Sequence, residues 1–162
     1  VNPATASNLL KDSGYDNIIL DDKSPCKFNR IERLINKYEP RYVIYDQLRQ
    51  ISMPGVDGDT AQLTAAVKEA RRLCKQYPII TISVTQAGDS ARDKLILDMG
   101  DCYMSNTTFP GDVDILIGWG TNDGFNAQNR RMLNLPKNKI TGRHEHFSVL
   151  IDPHKSKIWA EE

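Results

Sequence analysis

An aspartate closes the run Arg41-Tyr42-Val43-Ile44-Tyr45-Asp46. A run so short, apolar and unbroken predicts a strand buried on both faces, as in a parallel sheet. Asp46 would then stand at the strand's carboxyl end, where open α/β sheets place their ligands. From there a carboxylate can hold a hydrated magnesium ion beside nucleotide phosphates, or it can simply cap the following turn. Gln86 closes a second β-branched run, Ile79 to Thr85, in the same way. An amide there can hydrogen-bond a γ-phosphate or an attacking water, or only end the strand.

Cations form the other candidate set. In Lys137-Asn138-Lys139-Ile140-Thr141-Gly142-Arg143 the lysines stand at i and i+2. On extended chain such side chains point the same way, so two ammonium groups can converge on one phosphate. A solvated basic turn has the same composition. Arg92 and Lys94, in the loop after Gln86, could grip a polyanionic backbone, although Asp89 and Asp93 beside them also suit an ordinary solvated loop. His144 and His146 alternate along one stretch, but a metal there would have no acidic or thiol partner nearby, and a surface pair is the better reading.

Composition narrows the classes. At 162 residues the chain is about one domain, and 40% hydrophobic with 26% charged residues is ordinary for a soluble globular protein. Lys plus Arg and Asp plus Glu balance at 21 each, so any polyanion binding must be local. No apolar run approaches the roughly 20 residues that span a bilayer, and no secretory leader is recognisable. Cys26, Cys74 and Cys102 are scattered without a CxxC pair. That fits reduced thiols in a cytoplasmic protein better than a disulfide framework or a zinc site.

Alternating strands and helices must position these groups. A short helix is expected over Pro3 to Lys11, and a strand over Asn17 to Leu20 ending in Asp21-Asp22. Phe28, Ile31, Leu34 and Ile35 recur at helical spacing between Ser24-Pro25 and Tyr38. After the strand at 41–46 and a turn-rich loop at 53–58, Asp59 or Thr60 can cap a long helix to about Gln76. Its stripe is Leu63, Ala66, Val67, Ala70, Leu73 and Cys74. Strands are expected at 79–84 and 113–118, with an irregular stretch between and a loop at 120–129. Residues 131–135 and 146–151 can pair as antiparallel strands, followed by a last strand at 157–159. Strands alternating with helices in this way imply right-handed crossovers and a parallel sheet.

Taken in order, these segments resemble the RecA-like ATPase core, closest to the hexameric replicative helicases of the DnaB and phage primase–helicase type. Tyr42-Val43-Ile44-Tyr45-Asp46 resembles Walker B. Thr81 to Gly88 resembles the motif whose glutamine senses the γ-phosphate. Gly111 to Gly118 resembles the strand after a DNA-contacting loop, and Lys137 to Gly142 the hairpin that reaches the neighbouring subunit's ATP. Each motif is short, but the ordered set covers nearly the whole chain. The resemblance implies a three-layer α/β fold, its central sheet mainly parallel with antiparallel hairpins at the C-terminal edge. It implies an ATP-dependent DNA helicase motor: a P-loop NTPase that hydrolyses ATP with Mg2+ between identical subunits of a ring and translocates on single-stranded DNA in replication. Asp46 would hold magnesium through water, Gln86 would sense the γ-phosphate, Lys137 and Lys139 would act across the subunit boundary, and Arg92 and Lys94 would contact DNA.

Two departures shape the expectation. No GxxxxGK[ST] occurs, nor a strand with the expected catalytic glutamate. Residues 1–162 are therefore expected to be the carboxyl-terminal part of one RecA-like ATPase domain, inactive alone. In ring helicases an arginine usually stands where Lys139 does, and Lys lacks the bidentate fork of Arg. The Lys-Asn-Lys pattern is closer to RecA-type recombinases, which keeps a strand-exchange ATPase as a second reading beside a non-catalytic RecA-fold nucleotide-binding module. A flavodoxin-like or hydrolase domain would instead use Asp46 as nucleophile or metal ligand, with Asp21 and Asp22 completing a carboxylate cluster.

Overall fold

Two sheets share one helical layer. A computed structural model describes residues 15–103 and 108–161. The elements are α1 (Phe28–Tyr38), β1 (Tyr42–Tyr45), α2 (Asp59–Gln76), β2 (Ile80–Ser83), α3 (Thr108–Asp112), β3 (Ile115–Gly120), α4 (Asp123–Ala127), β4 (Arg130–Asn138), β5 (His146–Asp152) and β6 (Lys157–Ala160). Strands β1 and β2 pair in parallel, from Tyr42 opposite Ile80 to Tyr45 opposite Ser83, with α2 as their crossover. Strands β3 to β6 form an antiparallel sheet in sequence order. The α/β class stands as expected. Its parallel part is the β1–β2 pair, because β3 pairs with β4 and, among the described residues, one edge of β2 and one of β3 carry no partner strand.

The apolar stripe of α2 sets this arrangement. Gly58, at φ 85, is the residue before the helix, and Asp59 opens the first turn, where its charge complements the helix dipole. Leu63, Ala66, Val67, Ala70 and Leu73 are buried, as the 3.6-residue period predicts, and Cys74 is half-buried. They meet Phe28, Ile31 and Ile35 of α1, Tyr45 at the end of β1, and Leu48 and Ile51 beyond it. Val113 and Leu116 pack against the same cluster, so β3 rests on the core that carries β1 and β2. Helix α1 ends on Glu39, a left-handed residue whose N–H reaches the Ile35 carbonyl at 2.8 Å, and Pro40 stops further winding. Glu32 of α1 accepts from Arg72 at 3.1 Å and from the Tyr77 hydroxyl at 3.1 Å, which fastens the two helices at the surface.

Four expectations need correction. Strand β1 is buried on one face only: Ile44 is 65% exposed while Tyr45 is enclosed. The same alternation leaves Ile80, Ile82, Ile115, Ile117 and Trp119 exposed. Helices cover one side of the sheets, and among the described residues nothing covers the other. Asn17 to Leu20 is irregular and exposed, since no neighbouring strand pairs with it. Residues 120–129 contain the short helix α4, started by Asn122, whose side chain accepts from the Phe125 N–H at 2.9 Å. Strand β3 begins two residues later than expected and runs on to Gly120. The helix expected over Pro3 to Lys11 lies outside the described residues. No helix among the described residues is long and apolar enough to cross a membrane.

Leu73 is 0% exposed at the centre of the α2 stripe. Leu73→Ala should lower unfolding free energy by about 2–5 kcal/mol, the cost of deleting a buried isobutyl group. Ile140→Ala, at a position 73% exposed, should leave it nearly unchanged. Denaturant titration of both variants checks this.

Candidate functional site

The parallel register brings Asp46 and Gln86 to one end of the β1–β2 pair. Tyr45 lies opposite Ser83, and the Val84 N–H donates to the Tyr45 carbonyl at 3.1 Å. Asp46 therefore leaves β1 where Gln86 leaves the extension of β2, and both side chains are exposed. Beyond Asp46 a 3₁₀ turn, Leu48–Gln50, buries Leu48 and presents Arg49. Arg49 lies over the Tyr103 ring, 6.0 Å from its centroid. With Thr85 they border a cleft of about 300 Å³.

The segment after Gln86 is fastened to the same end. The Gln86 carbonyl accepts from the Tyr103 N–H at 3.0 Å, and Ala87 bridges to Cys102. Between them the chain folds around Asp101, which is 3% exposed. Asp101 accepts from the Ser90 hydroxyl at 2.7 Å, the Asp98 N–H at 2.8 Å and the Lys94 ammonium at 2.9 Å. Burial pushes its pKa up, but the donors from Asp98, Lys94 and Ser90 outweigh this and hold it below the usual carboxylate range. Lys94 thus points at Asp101. Arg92 is exposed and lines a second cleft, of about 350 Å³, with Trp119, Asn122 and Asn126.

Strand β4 holds this segment from the other side. The buried Asn134 side chain accepts from the Leu97 N–H at 3.1 Å and donates to the Leu97 carbonyl at 2.8 Å. Gly118 and Gly120 give the close approach: a Cβ at Gly120 would overlap the Leu95 carbonyl, and one at Gly118 the Asn134 amide. Sequence reasoning missed both fastenings. The Gly-Trp-Gly spacing along β3 was the available signal, since glycine inside a strand marks a close backbone approach.

The lysine hairpin forms at the opposite end of β3. Lys137 pairs with Leu116, near the strand's start, whereas Ala87 shares the Arg92 cleft with Gly120, at its end. At about 3.3 Å per residue, the step from Leu116 to Gly120 is roughly 13 Å. One chain therefore does not bring Lys137 and Lys139 to Asp46 and Gln86. The two ammonium groups do converge on each other. Lys137 and Lys139 both donate to the Gly111 carbonyl, at 3.0 and 3.3 Å, and Lys137 also reaches the Pro110 carbonyl. Burial and the neighbouring Lys139 charge lower the Lys137 pKa. Asn138 shapes the turn by accepting from the Ile140 and Thr141 N–H groups at 3.1 and 3.2 Å, and Gly142 takes φ +71. Arg71 of α2 joins the cluster, donating to the Asp112 carbonyl and standing 3.5 Å from Asp114. An arginine on the polar side of an amphipathic helix carries no sequence signal that separates it from a solvated face.

The remaining candidates do not assemble. Asp21 is held by Arg30 at 2.6 and 2.8 Å, and that pairing lowers its pKa. Residues 17–20 form no strand, so the carboxylate cluster at strand ends that a flavodoxin-like or hydrolase reading would need does not form from Asp21, Asp22 and Asp46 among the described residues. His144 binds the Leu135 carbonyl through Nδ1 at 2.8 Å, outside any strand. Among the described residues no group of three or more His, Cys, Asp or Glu could hold a metal ion. Cys26, Cys74 and Cys102 are free thiols.

No family model matches this sequence, and no curated protein matches it. Solved structures do. The chain superposes on a DnaB-like replicative helicase, described with its interactions with primase, at TM-score 0.77 and 16% identity, over 93% of this chain and 39% of that one. It superposes on the ATPase domain of G40P at TM-score 0.82 and 16% identity, over 98% of this chain and 60% of that one. The fold is thus the RecA-like α/β fold of replicative-helicase ATPase domains, as the ordered motifs led one to expect. The chain spans between two-fifths and three-fifths of the length of these two structures.

Asp101→Ala should destabilise the protein by about 1–3 kcal/mol, because the Ser90 and Asp98 donors lose a buried acceptor. The Lys94→Ala loss should be smaller, since that side chain is 41% exposed and water replaces its partner. Asp101 is depressed in the folded state, so its stabilisation is complete above its unfolded pKa of about 3.9 and vanishes as pH falls through the lower folded value. Hydrogen exchange across 88–103 should lose protection in that acid window, and Asp101→Asn should remove the transition.

Proposed function

We propose that this chain is part of the ATPase motor of a replicative, ring-forming DNA helicase that moves on single-stranded DNA. The observation that carries the reading is the division of charge: Asp46 and Gln86 share one end of the β1–β2 pair, while Lys137 and Lys139 converge at the far end of β3. Such a chain supplies half of each of two sites, and identical neighbours complete both. Asp46 offers an exposed hard oxygen, which suits a magnesium ion held through water. Bound magnesium would neutralise charge on the phosphates of ATP. Gln86 reaches the γ-phosphate, and its carbonyl bond to Tyr103 links it to the segment latched on Asp101. There Arg92 contacts the DNA backbone, and Lys94, through Asp101, sets the loop that presents it. Contacts of this kind are largely independent of sequence and sensitive to salt.

The P-loop and the general base belong, in this reading, to another part of the same motor domain, of which residues 1–162 are one portion. Among the described residues, the exposed apolar face of β1 to β3 and the edges of β2 and β3 without a partner strand support that division, since neither is a stable surface for water. The fragment alone would not turn over ATP. Its place would be the cytoplasm, where replication occurs. One observation favours the second reading, a recombinase or strand-exchange ATPase: the two-lysine hairpin lacks the arginine fork. A non-catalytic RecA-fold nucleotide-binding module differs from both in having no turnover in the parent.

In the full-length parent, Asp46→Asn should abolish ATP hydrolysis. Lys139→Ala should leave nucleotide binding by isolated subunits intact and cut DNA-stimulated turnover by roughly 10³-fold, as expected for a cation acting across a subunit boundary. Turnover unchanged in either variant would overturn the split-site reading. Strand displacement without strand exchange separates helicase from recombinase.

A further inference from the structure

We propose that Arg71 is a third cation of the anion site formed by Lys137 and Lys139, and that it supplies from α2 the guanidinium fork the hairpin lacks. The inference rests on the reading that this hairpin meets the polyphosphate of a nucleoside triphosphate held by a second copy. Arg71 Nη1 and Lys139 Nζ lie 3.5 and 3.6 Å from one and the same atom, Asp114 Oδ1. Lys139 and Lys137 in turn share the Gly111 carbonyl oxygen. Three cations thus stand around residues 110–114, and two of them, Arg71 and Lys139, reach the Asp114 carboxylate.

The arrangement is poised for exchange. Asp114 is 62% exposed, and both of its ion pairs are long, so water screens them and they hold the cations weakly. The carbonyls of Pro110, Gly111 and Asp112 orient the donors without neutralising them. A phosphate oxygen arriving at the place of Asp114 Oδ1 would meet a guanidinium and an ammonium together, with the Lys137 ammonium beside them. Arg71 can present two parallel N–H groups to two phosphate oxygens, which an ammonium cannot do. It also sits on the rigid helix between buried Ala70 and Leu73, so its Cα is fixed by the core. Asp114 then acts as a placeholder that keeps like charges together while the site is empty.

The test is titration calorimetry of the chain with tripolyphosphate and, separately, with orthophosphate, alongside circular dichroism for folding. Wild type should bind tripolyphosphate more tightly than orthophosphate. Arg71→Gln should weaken tripolyphosphate by about tenfold or more, the loss of one charge-assisted hydrogen-bonding group. Arg71→Lys should restore charge but not the fork, and stay several-fold weaker than wild type. Asp114→Asn should tighten binding by removing the competing carboxylate. Wild-type affinity in Arg71→Gln, or full rescue by Arg71→Lys, would overturn the proposal and leave Arg71 as a brace for the Asp112 turn. If Lys137→Ala with Lys139→Ala abolishes binding while Arg71→Gln does not, the hairpin reading stands without the third cation. If wild type binds neither anion, both fall.

Discussion

Both sheets depend on the burial of one face of α2. Leu63, Ala66, Val67, Ala70 and Leu73 meet the inner side of β1 and its continuation through Leu48 and Ile51, and the same cluster receives Val113 and Leu116 at the start of β3. Burying a leucine or valine side chain contributes about 1.5–3 kcal/mol, so this stripe is the main hydrophobic attachment between the parallel pair and the antiparallel sheet. The two sheets share no ladder, because β2 and β3 do not pair. The β1–β2 ladder sets Gln86 beside Asp46, whereas the position of the lysine hairpin relative to Asp46 is set through helix packing. Arg71 lies on the border of the same stripe, which is why a residue of the crossover helix reaches the hairpin.

Hydrophobic burial places the sheets, and two buried polar groups place the segment between them. Asp101 collects donors from a hydroxyl, a backbone N–H and an ammonium, and Asn134 answers both backbone groups of Leu97. A buried carboxylate or amide without such partners would cost several kcal/mol, roughly 2–7 for an amide or hydroxyl left unpaired, so each node holds only in the geometry that satisfies it. The consequence is mechanical. The stretch from Gly88 to Tyr103 has little regular structure, yet its ends are tied to Gln86 and Ala87, its middle to β4, and its turn to Asp101. A displacement at Gln86 would be carried to Arg92 through hydrogen bonds rather than lost in a loose loop.

How much of this was legible follows from which signals are periodic. The α2 stripe, the β1–β2 pair and the three C-terminal strands announce themselves through spacings of 3.6 and 2, and they stand within a few residues of expectation. That β1 is buried on one face only was not legible, because Tyr-Val-Ile-Tyr reads the same whether one or both sides carry a covering layer. Asn17 to Leu20 has strand composition without a partner, and composition alone cannot supply one. Asp101, Asn134 and Arg71 escaped for a common reason: each acts through contacts far along the chain, and a single polar residue has no period. At 16% identity the solved relatives speak for the fold. The roles proposed for Asp46, Gln86, Lys137 and Lys139 are argued from where that fold puts them.

The separation of the lysine hairpin from the Asp46 end is the feature with most mechanistic content. A cluster of cations left unmatched is unfavourable in itself, and the lowered pKa of Lys137 records that burial and Lys139 both oppose its charge. The fold tolerates it because backbone carbonyls at 110–112 accept the donors and Asp114 balances part of the charge. Carbonyl dipoles satisfy hydrogen bonds but do not cancel net charge, so the cluster keeps an unspent attraction for a polyanion. The Asp46 end, by contrast, presents a carboxylate, which needs a cation before it can face phosphate, beside the neutral amide of Gln86. In the proposed reading, two half-sites of opposite requirement, one at the end of β1 and one beside the start of β3, are satisfied together when one copy's cations meet the phosphates held at another copy's Asp46 end. In the proposed motor, assembly and nucleotide binding thereby become the same electrostatic event.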